Sequence, residues 1–302
     1  MVDKRTLSEV KGATINLFSR QWLKNFRSIQ NLVEKNSGVK ALGGKFNTTP
    51  AVVIGAGPSL DKNVKYLKYV SGRALIIACD AALKVVLNEG IRPDLVTTLD
   101  PQADILRFFD GVNTHNLNLV APTIAHPELI KSWKGTLLFY NKFAPDIPEL
   151  VTIQKAASGV GELIPGGTVL SISYSLAFQA GANPITFIGQ DLSYPKGQTY
   201  SSGSVYEEQT LEETKTLQKE NMMKDTGLFG EELDTVKSMY ITKQWMEWAF
   251  SSWKRPVGTD VLNSTEGGIL KKKCRVVPFK QFIQMHADKS FNLAWKIKKL
   301  IR

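Results

Sequence analysis

Apolar positions along this 302-residue chain fall into short unbroken runs separated by longer amphipathic stretches. The run at 51–54 lacks polar alternation, so it predicts a strand covered on both faces; 74–79, LVTTL at 95–99, 117–121, 136–140 and 184–188 predict further strands. Between them the apolar spacing turns helical. Leu7, Val10, Ile15, Leu17, Trp22, Phe26, Ile29 and Val33 predict a helix over 6–36, and shorter helices are predicted over ~60–70, ~81–89, ~102–109 and 127–133. Strand and helix alternate at a spacing that implies a parallel sheet with right-handed crossovers, an α/β fold. Residues 143–166 read as irregular, 168–180 as helix, 204–230 as a polar lid-like excursion, ~231–253 as helix, and Pro278 as the start of a last helix running close to the C-terminus. The expected units are a helical arm (1–46), a nucleotide-binding core (47–205), and a lid-like segment with a helical C-terminal region (206–302).

The strand at 51–54 runs into Gly55-Ala56-Gly57-Pro58-Ser59 and then a helix start. Strand, glycine turn and helix N-terminus together favour an anion, because free N–H groups and the helix dipole both attract negative charge. Three other strand ends carry polar signatures: Cys79-Asp80, Asp100-Pro101 and Gly189-Gln190-Asp191. In an open parallel sheet these converge on one edge, where ligands bind. A dinucleotide fingerprint needs a third glycine where Leu60 stands, and no Gly-Lys-Ser/Thr follows to make a P-loop. Gly166-Gly167-Thr168 opens a second helix and offers a second anion site or a simple cap. Tyr194 and Tyr200 flank a loop beyond Asp191 and are either phosphate contacts or loop anchors. His126 follows a strand end as general base or as a His-Pro helix start. Cys79 reads as a small core residue.

Composition narrows the class. The hydrophobic share of 43% is ample for a core, and no apolar run is long enough to span a bilayer. Two distant cysteines and an N-terminus without an apolar region predict reduced thiols and a cytoplasmic setting. The net charge of +10 belongs to the ends: 1–46 and 271–302 are basic, and the centre is mildly acidic. No nucleic-acid partner is expected, since basic residues do not interleave with aromatics around the site. The tail, with Phe291, Trp295, Ile297 and Ile301 among lysines, would suit peripheral contact with the inner membrane surface.

The order of motifs is itself informative. G-A-G-P-S-L, A-C-D-A-A-L, G-I-R-P-D, T-L-D-P, G-G-T-V, F-I-G-Q-D-L-S-Y and N-S-T-E-G-G, over about residues 50–270, resemble the motility accessory factor (Maf) family, bacterial proteins implicated in attaching nonulosonic acids to flagellin. The wider group shares a Rossmann-like core with archaeal 6-hydroxymethylpterin pyrophosphokinase and is similar to bacterial sialyltransferases that use CMP-sialic acid. The resemblance implies a Rossmann-like, mostly parallel sheet with helices on both faces, a helical N-terminal arm and a helical C-terminal region. It implies a glycosyltransferase moving a nonulosonic acid from a CMP-sugar to a protein or glycan hydroxyl, with no cofactor or metal required. Gly55, Ala56, Gly57, Pro58 and Ser59 would wrap the nucleotide. Asp80 and Asp100 would contact cytidine, ribose or sugar; Gly167 and Thr168 would face the donor's carboxylate or phosphate; Gln190 and Asp191 would complete the edge. Tyr194 and Tyr200 match phosphate-contacting tyrosines. The sialyltransferases' histidine base has no counterpart in 225–240, which leaves Glu231, Glu232, Asp234 or His126 for that role. One alternative is a pyrophosphokinase using ATP and Mg²⁺ held by Asp80, Asp100 and Asp191; another is a non-catalytic nucleotide-binding or assembly protein. Self-association into a homo-oligomer is compatible with each.

Overall fold

The structure, a computed structural model, describes residues 4–254 and 260–301, and side chains from residue 18 onward. The chain opens with α1 (Lys4–Lys35) and the edge strand β1 (Ser37–Gly38). Next come β2 (Ala51–Ile54), α2 (Leu60–Asn63), β3 (Leu75–Cys79), α3 (Leu83–Asn88), β4 (Leu95–Thr97), β5 (Asn118–Pro122), α4 (Pro127–Ser132) and β6 (Thr136–Lys142). Then follow α5 (Pro148–Ala156), β7 (Glu162–Leu163), α6 (Val169–Gln179) and β8 (Ile185–Ile188). The C-terminal third holds α7 (Leu211–Leu217), β9 (Met222–Thr226), β10 (Glu232–Val236), α8 (Lys237–Ser252), β11 (Val261–Asn263), β12 (Arg275–Val276), α9 (Phe279–His286) and α10 (Leu293–Leu300).

The main sheet runs β1-β6-β5-β4-β3-β2-β8-β11-β12, every pairing parallel, with β7 extending β6. Strand order therefore proceeds outward from β2 to β6, and the chain then crosses back to lay β8 on the other side of β2. The gap between β2 and β8 is the topological switch point. Side chains alternate between two covered faces. Val53, Ile77 and Tyr140 join the core under α6 and α8, whereas Val52, Ile54, Ile76 and Phe139 face the helices of the other side. All four residues of β2 are fully buried, as an unalternating apolar run requires. On α1, Trp22, Phe26, Ile29 and Val33 form a buried stripe against α4 and α5. The side chains of Leu7, Val10, Ile15 and Leu17 lie outside the described residues.

Four sequence expectations are corrected. Residues 143–166 are not irregular: Pro148 starts α5, and Leu150 and Ile153 bury its inner face. The excursion at 204–230 contains α7, opened by a capping box between Thr210 and Glu213, and the first strand of an antiparallel hairpin. The helix expected from ~231 begins at Lys237, because residues 232–236 pair with β9 and bury Leu233 and Thr235 at period two. The final helix is two helices, the second capped by the Asn292 side chain. In that second helix Ile297 is buried and Trp295 is exposed, while Phe291 before it and Ile301 after it pack on the core. Among the described residues no helix is long and apolar enough to cross a membrane.

Candidate functional site at the switch point

Register decides which side chains meet. Ile54, Ala78 and Ile188 lie level across β2, β3 and β8, and Thr97 lies level with Cys79. The residues that follow each strand therefore emerge along one edge. Gly55 N–H donates to Ile188 O and Gly57 N–H to Gly189 O, both at 2.9 Å. The two loops approach so closely that a Cβ on Gly55 would stand 2.4 Å from Gly189 O and 2.5 Å from Leu170 of α6. A Cβ on Gly57 would stand 2.2 Å from an Asp191 carboxylate oxygen. That same oxygen, Oδ2, accepts the Ser59 hydroxyl at 2.7 Å and the Ser59 N–H at 3.2 Å. The glycines of the turn thus serve the crossing of β2 and β8 loops, and an internal carboxylate occupies the Ser59 donors.

What remains open at this point is side-chain chemistry. Asp191 Oδ1, Gln190 Oε1 and Thr168 Oγ1 are buried without a partner among the described residues. Burial pushes Asp191 up to about 6, against the pull of the Ser59 hydroxyl and amide. Thr168 precedes α6 but makes no capping bond; Ser171 instead accepts the Gly166 N–H at 2.7 Å. Gly166 is glycine because the Trp245 ring of α8 lies where its Cβ would be, and Gly167 adopts φ +104° beside Thr242. Buried polar atoms without partners are uncommon in folded proteins and mark places where a ligand or water completes the bonding.

One strand along, Asp80 ends β3. Its oxygens accept Ala81 N–H and the Thr98 hydroxyl, both at 2.8 Å. Burial pushes it up to about 7; the Thr98 bond opposes this and nearby Asp100 adds to it. Asp100, beyond β4, is exposed, yet the protein surrounding its carboxyl raises its pKa, opposed by Lys142 from the end of β6. Lys142 lies over the Trp22 ring of α1, 5.9 Å from its centroid, and Tyr140 donates to Thr98 O at 2.8 Å. A loop from 192 to 206 covers this side. Ser201 N–H donates to Ala56 O at 2.9 Å, and Ser202 binds the Asp61 carboxylate through its N–H and hydroxyl. Within it Tyr194 is buried, with its N–H on Asp234 O. Burial, then the neighbouring Tyr206 and Tyr194, push Tyr200 up to about 12. Cys79 is buried beside the Ala56, Ala81 and Ala82 amides, and burial drives its thiol upward.

The structure brings together residues 55–59, Asp80, Asp100, Gly167, Thr168, Tyr194, Tyr200, Gln190 and Asp191 along one edge. Of the other residues proposed as bases, Asp234 adjoins the edge, its carbonyl accepting the Tyr194 N–H at 2.8 Å, whereas His126 lies farther along it. His126 precedes α4 beyond β5, three strands or ~14 Å along the edge from β2. It lines a groove of about 880 Å³ between α1 and α4 with Arg20, Lys24 and Lys131. Glu231 sits in the β9–β10 turn and accepts Phe229 N–H; Glu232 pairs with Lys224 at 2.5 Å, and Asp234 lies 3.6 Å from Lys215. Among the described residues no three His, Cys, Asp or Glu side chains gather closely enough to hold a metal. Sequence reasoning missed the Ser59–Asp191 bond, which joins residues 132 apart, and the contribution of α1. Asn25 on that helix donates to Pro101 O at 2.9 Å and Ile124 O at 3.1 Å, fixing two strand ends.

Comparison with known proteins agrees with this architecture. The solved structure of a MAf glycosyltransferase from Magnetospirillum magneticum AMB-1 superposes with a TM-score of 0.67 at 17% identity, over 94% of this chain and 42% of that one; a likeness at that identity shows the fold. Two curated proteins of Treponema pallidum (strain Nichols), both described as uncharacterized, are similar in sequence. One is 32% identical over 85 residues, 28% of this chain and 40% of the relative; the other is 26% identical over 156 residues, 50% of this chain and 27% of the relative. The chain thus spans less than half the length of the curated relatives it matches. The family model described as 6-hydroxymethylpterin diphosphokinase MptE-like matches residues 20–197, from the middle of α1 to the loop beyond β8. Since that match takes in more than half of the chain and every strand end that builds the switch point except β11, this protein belongs to the 6-hydroxymethylpterin diphosphokinase MptE-like family.

Proposed function

We propose that this protein is a glycosyltransferase that takes a nonulosonic acid from a CMP donor to a hydroxyl of a protein or glycan. The observation that carries the reading is that Thr168, Gln190 and Asp191, at the β2–β8 switch point, keep buried polar atoms without partners among the described residues, with Asp80 and Asp100 at neighbouring strand ends. The fold likeness to a MAf glycosyltransferase supports it. In this reading the nucleotide lies along the edge. The N-terminus of α6 and the Thr168 hydroxyl face the phosphate, and Tyr200 closes over it. Inverting displacement breaks the anomeric C–O bond to CMP and forms a bond to the acceptor oxygen, whose proton needs an acceptor. Asp100 suits that role better than Asp80, because it is exposed while both Asp80 oxygens are engaged. Asp80, fixed by Thr98, would orient the nucleotide.

A second reading follows from the family description, a diphosphokinase acting with ATP and Mg²⁺. The three aspartates it calls for do not form one cluster: Asp191 is turned onto Ser59, leaving Asp80 and Asp100 as neighbours. Two carboxylates can hold a Mg²⁺ that arrives on nucleotide phosphates. Thermal unfolding with CMP, CTP, or ATP plus Mg²⁺ and a pterin separates the readings. CMP at a hundredfold excess over its Kd should stabilise the protein by about 2.7 kcal/mol, and CMP-N-acetylneuraminic acid should be hydrolysed slowly. Stabilisation by ATP with Mg²⁺ alone would overturn the transferase reading.

A further inference from the structure

A second cavity, of about 670 Å³, lies between α3, the segment beyond β4, α4 and the covering loop, outside every motif named above. Lys84 of α3, Arg107 and Phe109 beyond β4, Leu129 of α4 and Ser204 of the covering loop line it, and Asp110 is its one lining carboxylate. Phe109 and Leu129 are buried apolar residues of this wall. Lys84 Nζ donates to Arg107 O at 3.3 Å, which holds the ammonium against this wall. The Arg107 guanidinium lies over the Tyr206 ring at 5.1 Å, and Tyr206 is itself fixed edge-on to Phe108 at 5.4 Å and beside Tyr200 at 5.2 Å. Stacking fixes the guanidinium plane and leaves its edge N–H groups free for an oxyanion. Neither cation makes an ion pair with a carboxylate among the described residues. Ser204 is 9% exposed, and its hydroxyl has no partner among the described residues. Two cations outside any ion pair among the described residues and a buried hydroxyl, set against apolar side chains, fit a compact anionic group carried on a small ring.

We propose that this cavity is a binding site for the carboxylate or phosphate of a small ligand. Resting on the transferase reading, that ligand is the acceptor, an acidic sugar. The covering loop connects the two places, since Ser201 N–H holds Ala56 O three residues before Ser204. An acceptor anchored here by its anion would extend toward Asp100 at the adjoining strand end.

The test uses the full chain and three probes followed by ligand-observed NMR: N-acetylneuraminic acid, its uncharged methyl ester, and glucose 1-phosphate. Saturable binding of N-acetylneuraminic acid identifies a carboxylate ligand, and of glucose 1-phosphate a phosphate ligand; either supports the proposal, and the ester should not bind. Lys84→Met and Ser204→Ala should each weaken the bound probe, Lys84→Met by about tenfold, while CMP affinity stays within twofold. Arg107→Gln should act as Lys84→Met does. Absence of saturable binding by both charged probes would overturn the proposal. So would binding that survives Lys84→Met and Ser204→Ala, or displacement of the probe one for one by CMP. Probe binding in a protein that fails to bind CMP would leave this site standing while removing the transferase reading.

Discussion

Asp80, buried, and Asp94, half-buried, are aspartates flanking strands of the same sheet, and the protein around each carboxyl pushes both up to about 7. They stand at opposite edges. At the N-terminal edge Asp94 accepts the Ile76 N–H at 2.8 Å, and Asn118 donates to its carbonyl at 2.9 Å, so it ties β3, β4 and β5 together. At the C-terminal edge Asp80 accepts the Thr98 hydroxyl and faces Asp100, within an edge where Thr168, Gln190, Asp191, Ser201 and Ser204 keep buried polar atoms unbonded. A raised carboxyl pKa alone therefore does not mark a functional site in this protein. The difference lies in each carboxyl's own neighbours: a backbone amide for Asp94, a hydroxyl and a second carboxylate for Asp80.

The largest effect that can break this contrast is steric. Gly55→Val would drive its Cβ into Gly189 O and Leu170 at the switch point, and should cost about 3 kcal/mol or more in urea unfolding. Gly90→Ala, before β4 at the other edge, meets nothing within 4 Å and suffers only its φ of +73°, so it should cost about 1 kcal/mol. Equal losses would mean that the β2–β8 crossing is no tighter than an ordinary turn.

Titration gives the next effect. In the unfolded chain these aspartates ionise near 3.8, whereas burial holds Asp80 and Asp94 protonated to about 7 and Asp191 to about 6 in the folded state. Between those values the unfolded chain releases its protons first. The stabilisation is thus fully present below about pH 4, is lost as pH rises, and is gone above about pH 7. Urea midpoints should fall from pH 5 to pH 7.5, and Asp80→Asn and Asp94→Asn should each flatten the slope. The two edges then part on ligand: Asp80→Asn should weaken CMP binding by about tenfold, while Asp94→Asn leaves it within twofold. Loss of CMP binding in Asp94→Asn with the fold intact would erase the distinction between the edges.

Much of this was readable from the chain because local signals and tertiary outcome agree. The unalternating run at 51–54, its glycine turn and the aspartates after the strands specify a parallel sheet and one edge on which the candidate residues gather before any contact is known. What escaped depends on residues far apart. Nothing near Ser59 announces Asp191, and the glycines at 55 and 57, which suit a phosphate cradle, are required by the β8 loop and its carboxylate. Gly166 is legible as punctuation only until Trp245, from a distant helix, is found against it. Local signals were also passed over: Thr210-Leu-Glu-Glu213 spells a capping box, and Leu233 and Thr235 alternate as a strand does. Charge density in 204–236 masked both.

That charged hairpin sharpens the comparison from inside the C-terminal edge. Glu232 lies on β10 and is paired with Lys224, both side chains more than 60% exposed. An exposed pair of this kind is screened by solvent and adds little to stability, so Glu232→Gln should barely move the urea midpoint. It should also leave turnover of a CMP-sugar unchanged, because its carboxylate is occupied by a lysine and belongs to the rim rather than to the strand ends. Asp100→Asn, exposed at a strand end beside Asp80, should instead lower turnover by about a hundredfold with little change in CMP affinity. If Glu232→Gln and Asp100→Asn exchanged these outcomes, the acceptor's proton would leave by way of the hairpin, and the division would run between lid and sheet rather than between the two edges of the sheet.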